Sequence, residues 1–119
     1  MSLQIAIADD EGDTRRFYEA SLHRQGHVVI ASAADGQELV EQCRVQSPDL
    51  IITDVLMPIL DGINATRQIT QNHRIPVIVI SSLDATKLSG YGECGHISAF
   101  LTKPVNRCTS SEQVGQLTG

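Results

Sequence analysis

Four apolar runs of the chain end in groups able to do chemistry: Asp9-Asp10, Asp54, Ser81-Ser82 and Lys103-Pro104. Three carboxylates brought together repel one another, and a proton or a cation must relieve them. Oxygen donors with no His or Cys among them select a hard cation. Mg²⁺ suits them best, because it keeps several waters and works with phosphates. A lysine adds a second positive charge for a tetrahedral anion, and a serine hydroxyl adds a hydrogen-bond donor. A carboxylate facing both cations is a credible nucleophile for phosphoryl transfer, since they offset charge on the group in flight. Taken singly, each residue has a plainer role: Asp-Asp as a helix cap or turn, Lys103 as a surface lysine. Their joint placement at four run ends is what favours the chemical reading.

Convergence requires the runs to be strands with their carboxyl ends on one edge. The runs are Leu3–Ala8, Val28–Ala31, Leu50–Thr53, Val77–Ile80 and Ile97–Leu101. They are continuous and rich in β-branched residues, as expected of strands buried on both faces of a parallel sheet. Pro48, Pro76 and Pro104 flank them, and proline is tolerated at strand ends. Beyond the second run only Ser32 is polar.

Helix signals fill the gaps. Asp13 is expected to cap a helix through Phe17 and Leu22 that stops at Gly26. Asp35 with Glu38 reads as a capping box, followed by Leu39, Val40 and Cys43 on one face. Asp61-Gly62 opens a third helix with Ile63, Thr66 and Ile69 at helical spacing. Gly90, Gly92 and Gly95 predict a short or irregular fourth helix. The segment after Pro104 is polar, with few apolar anchors. Five strands alternating with five helical segments predict an α/β, doubly wound parallel sheet, which binds ligands beyond the strand carboxyl ends.

The chain has 119 residues, 41% of them hydrophobic and 19% charged, which fits one domain spanning residues 1–119. Its net charge of −5 argues against direct binding of nucleic acid, whose phosphates need a basic surface. Setting aside Asp9, Asp10 and Asp54 leaves 11 acidic residues against nine basic ones. More than half of the net charge therefore belongs to one candidate pocket. Cys43, Cys94 and Cys108 are an odd set with no metal-ligand spacing, the pattern of a reducing compartment. No signal-peptide pattern and no apolar run near 18 residues is present, so a cytoplasmic protein without a membrane span is expected.

The constellation resembles the receiver (response-regulator) domain of two-component signalling over essentially the whole chain. The pieces that carry the likeness are Ile5-Ala6-Ile7-Ala8-Asp9-Asp10-Glu11, Asp54-Val55-Leu56-Met57-Pro58 with Asp61-Gly62, Pro76 through Ser81, and Phe100-Leu101-Thr102-Lys103-Pro104. Asp9, Asp54, Ser81 and Lys103 follow one another at separations of 45, 27 and 22 residues. The resemblance implies a flavodoxin-like (β/α)5 fold with strand order 2-1-3-4-5. It makes Asp54 the phosphoacceptor, charged by a phosphohistidine of a sensor histidine kinase or a histidine phosphotransfer protein. Asp10, Asp54 and the Leu56 backbone carbonyl would hold Mg²⁺, with Asp9 acting through water. Lys103 would contact the phosphoryl group, as would the backbone amides of Leu56 and Ser82, and the Lys103–Pro104 peptide would be cis. Ser81 and Phe100 would switch together, moving a surface that an effector or a second copy in a phosphorylation-dependent homodimer reads. The domain would stand alone or open a longer response regulator.

Three further expectations follow. Leu56 and Leu83 would flank the path of water to the phosphoaspartate, and neither can orient it, so self-dephosphorylation should be slow. Arg15, Arg16, Tyr18 and Leu22 on the first helix are the expected docking face for the kinase. Ser82, where many receivers carry Ala, and Gly95-His96-Ile97-Ser98, where a small Gly-Ala pair is usual, leave partner choice open. Two other classes compete. A degenerate receiver would act only as an interaction module. An aspartyl-phosphate phosphatase like the haloacid dehalogenases would carry its nucleophile after the first strand, where this chain has its acidic pair.

Overall fold

The computed structural model describes residues 2–71, 73–81 and 96–102. In chain order they form β1 (Gln4–Ala8), α1 (Gly12–Arg24), β2 (Val28–Ala33), α2 (Gly36–Val45), β3 (Leu50–Thr53), α3 (Gly62–Thr70), β4 (Val77–Ser81) and β5 (Ala99–Thr102). All strand pairs are parallel, in the order β2-β1-β3-β4-β5. The predicted order and sheet class hold. The fourth and fifth helical segments lie outside the described residues.

The strands read as continuous apolar runs because each supplies two cores. Ile5, Ile7, Leu50, Ile52, Ile78 and Ile80 pack with Tyr18 and Leu22 of α1 on one face. Ala6, Ala8, Ile51, Val77 and Val79 pack with Leu39, Val40 and Cys43 of α2 and Ile63, Ala65 and Ile69 of α3 on the other. Burying each large aliphatic side chain stabilises by about 1.5–3 kcal/mol, so both layers are held firmly. Burial also pushes the Cys43 thiol up to about 11, which makes it a core residue and not a reactive one.

The helix ends follow local chemistry, with one correction. Asp13 does not cap α1. The cap residue is Glu11, which makes no side-chain cap bond, and its own amide donates to Asp9 Oδ1 at 2.9 Å. Asp13 instead lies in the first turn, paired with Arg16. The stop at Gly26 is as expected. Its φ of 87° lets the Gly26 and His27 amides reach the carbonyls of His23 and Leu22. On α2, Asp35 accepts the Glu38 amide at 2.8 Å, while the Glu38 carboxylate turns to Gln42, so half of the capping box forms. On α3, Asp61 accepts the Asn64 amide at 2.8 Å.

The second correction concerns strand bounds. β2 runs to Ala33, so Ser32 lies inside it, and β5 starts at Ala99 instead of Ile97. The register shift between Ile5 and Ala6 keeps Ala8 level with Ala33 at the end of β1.

Candidate functional site

From β1 the chain runs outward to β2 and returns on the other side as β3. This reversal opens a crevice at the carboxyl ends of β1 and β3, the place where sheets of this kind take ligands. Asp9 and Asp10 follow β1, and Asp54 follows β3. Carboxylate oxygens of the three lie within 4.8 Å of one another. Asp9 and Asp54 are buried, at 2% and 8% exposure, and Asp10 is exposed.

Backbone bonds hold each acid in place. The Asp9 amide continues the sheet to the Ala33 carbonyl at 3.0 Å, and the Asp54 amide reaches the Ala8 carbonyl at 2.9 Å. Asp54 Oδ1 accepts the Val55 amide at 2.8 Å, and the Thr53 hydroxyl donates to the Asp54 carbonyl at 2.9 Å. Gly62 closes the loop from behind, its amide bonding the Val55 carbonyl at 2.8 Å. The result is a rigid, oxygen-lined pocket with one acid open to solvent. That donor set fits a hard divalent cation, and it lacks the nitrogen or sulfur that would favour zinc.

The other expected residues fall as follows. Leu56 is half exposed beside the pocket, two residues past Asp54. Ser81 ends β4 with its backbone paired to Thr102 of β5, two positions beyond the level of Thr53 in β3. Phe100 pairs with Val79 inside β5. Ser82, Leu83, Lys103 and Pro104 lie outside the described residues.

The docking face expected on α1 needs revision. Tyr18 and Leu22 are buried against the sheet, because their helical spacing from one another puts both on the inner stripe. The outward residues are Asp13, Arg16, Phe17, Ala20, His23 and Arg24.

Sequence reasoning also missed contributors to the site. Arg15 donates to the Asp9 carbonyl at 2.7 Å, bracing the turn between β1 and α1. Only its position one turn inside the helix hinted at this. Gly36 and Gly62 each follow an aspartate cap, and both are pressed against the Asp54–Asp61 loop. Ile59 has φ 72°, which no sequence signal marks, since β-branched residues avoid that region.

The match to known families now decides the class. The family model described as the response regulator receiver domain covers residues 5–114. The chain belongs to that family.

Among related receiver proteins, PilH of Pseudomonas aeruginosa is 34% identical over 109 residues, covering 89% of both chains. The transcriptional regulatory protein PdtaR of Mycobacterium tuberculosis is 34% identical over 101 residues, 85% of this chain and 49% of that protein. The chain thus spans about half the length of PdtaR. Of solved structures, a chain of the CheX–CheY–BeF3–Mg²⁺ complex of Borrelia burgdorferi superposes with a TM-score of 0.84 at 26% identity. That match covers 98% of this chain and 89% of the Borrelia one. Receiver domains of two-component systems work with histidine kinases or phosphotransfer proteins and with effectors. No helix among the described residues is long and apolar enough to cross a membrane.

Proposed function

We propose that this receiver domain accepts a phosphoryl group on Asp54 from a phosphohistidine of a sensor kinase or phosphotransfer protein. The observation that carries this reading is the convergence of Asp9, Asp10 and Asp54 within 4.8 Å at the β1–β3 crevice. Asp10, Asp54 and the Leu56 carbonyl would hold Mg²⁺, with Asp9 acting through water. When bound, such an ion would supply positive charge to offset the phosphoryl oxygens and the crowded carboxylates.

The chain's own residues do the rest. A carboxylate oxygen of Asp54 attacks phosphorus in line, and the P–N bond breaks with its electron pair returning to the imidazole. An acyl phosphate on Asp54 results. The Val55 amide orients the nucleophile, and burial of Asp9 and Asp54 keeps the pocket tight. Lys103 and the amides of Leu56 and Ser82 receive the phosphoryl oxygens. Ser81 moves toward them and Phe100 follows, changing the surface that an effector or a second copy reads. The protein is a phosphoacceptor that promotes its own charging and discharge, and turns over no external substrate. Residues 1–119 act as one receiver unit in the cytoplasm.

Incubation with acetyl phosphate and Mg²⁺ followed by intact mass measurement tests the reading. Wild type gains the mass of one phosphoryl group and Asp54→Asn gains none. An unmodified wild type overturns the phosphoacceptor role and leaves an interaction module.

A further inference from the structure

The loop between Asp54 and α3 contains a strained turn. The Leu60 amide donates to the Pro58 carbonyl at 2.7 Å, across Ile59 at φ 72°. This is a γ-turn with positive central φ, a rare and strained form. A β-branched residue is among the least suited to it. Such conformations persist only where the surroundings over-determine them. Ile59 does not supply the restraint, being 80% exposed.

The restraint lies on the inner side. Met57 and Leu60 pack against the core formed with α2 and α3. Behind Leu60 stands Gly36, in the first turn of α2. A Cβ on Gly36 would lie 2.0 Å from the Leu60 carbonyl oxygen, 2.7 Å from its carbon and 2.9 Å from the Leu60 Cβ. No side chain fits there without moving backbone.

Of the two elements, the loop must yield. α2 is fixed by the Asp35 cap and by buried Leu39, Val40 and Cys43. The loop is exposed at Leu56, Pro58 and Ile59. The same loop begins at Asp54 and carries Leu56. We infer that Gly36 is a positioning residue for the acidic pocket, setting the loop through the Leu60 carbonyl and the turn at Ile59. The inference rests on the Mg²⁺ site proposed above.

The test is Gly36→Ala in the full chain, read by calorimetric titration with MgCl2 alone and by circular dichroism. Because a misplacement of about 1 Å can cost about a hundredfold, Mg²⁺ affinity should fall at least about tenfold in a variant that stays folded. Adding Ile59→Gly should bring the double variant back to the level of Ile59→Gly alone, since glycine lets the loop follow the displaced carbonyl. A merely structural defect would show no such recovery, and its absence overturns the route through the turn. Affinity in folded Gly36→Ala equal to wild type overturns the inference outright. Should Gly36→Ala not fold, Ile59→Gly by itself decides: relaxing the turn should weaken Mg²⁺ by about threefold without lowering the melting temperature, and wild-type affinity sinks the idea. Wild type that takes the phosphoryl group beside an indifferent Gly36→Ala rejects only this inference. Wild type that takes none rejects the reading it rests on.

Discussion

The backbone amide of Leu3 donates to Nδ1 of His27 at 3.0 Å, fastening the start of β1 to the start of β2. An Nδ1 that accepts cannot carry the proton, so the imidazole is neutral and protonated at Nε2. Burial lowers the His27 pKa from 6.5, in keeping with that geometry. His96 is lowered as well, by burial first and then by the Arg67 charge, against the raising effect of the Ile63 carbonyl.

The sign of the pH dependence follows. The unfolded chain takes up these protons near pH 6.5, and the folded chain only at lower pH. The unfolded state binds more protons between the two, so stability rises with pH there. Urea melts should show full histidine-linked stability above pH 6.5 and a decline below it. His27→Leu should lose its share of that slope and be weaker by about 1–2 kcal/mol at neutral pH, its Leu3 amide unpartnered. A slope identical to wild type would refute the assignment.

Gly62 bears directly on Asp54, the proposed phosphoacceptor. A Cβ there would sit 1.8 Å from the Asp54 carbonyl oxygen and 2.7 Å from Thr53 Oγ1. Gly62→Ala should therefore cost about 3 kcal/mol through overpacking and slow phosphorylation by acetyl phosphate. Denaturation and mass-shift kinetics measure both, and a variant as stable as wild type would contradict the close packing.

The cation site can be dissected acid by acid. On the proposed reading Asp10→Asn removes a direct ligand and should lower Mg²⁺ affinity more than Asp9→Asn. The same reading has Asp9 act through water, so for Asp9→Asn a loss of about 10–100-fold is expected, the range for outer partners of metal sites. Titration with MgCl2 checks the order, and equal affinities across all three proteins would remove the site.

If Asp54 carries the phosphoryl group as proposed, its persistence should depend on Leu56. Its exposure at the pocket, 51%, leaves it beside incoming water, which it cannot orient. Leu56→Asn supplies hydrogen-bonding groups and should speed phosphoryl loss by about tenfold or more. Decay that is unchanged or slower in the variant would discard the role.

Much of this molecule is written in local pattern. Continuous β-branched runs marked the strands, because a strand covered on both faces has no polar side to show. Asp35 and Asp61 marked helix starts, because a short side-chain acceptor satisfies an otherwise unpaired amide. Asp13 misled for the same reason: it has the right chemistry, but it lies in the first turn of α1, past the cap residue Glu11. Helical spacing tells which residues share a face, not which way that face turns, so from sequence Tyr18 and Leu22 read equally well as a docking face. Only the sheet against α1 decided that both point inward.

The sequence by itself determined the fold class, the strand order implied by family likeness, and the acids that could meet. Spacing of residue types along a chain is enough for these, since period and punctuation are local. The tertiary structure alone decided the contacts with no sequence separation rule. His96, a departure before β5, places Nε2 3.0 Å from the buried Thr66 hydroxyl of α3. Arg15 reaches back to the Asp9 carbonyl, and Gly36 and Gly62 press on the loop that leaves Asp54. Such contacts depend on how closely two backbones approach across the core, a distance set by the packing of every layer at once.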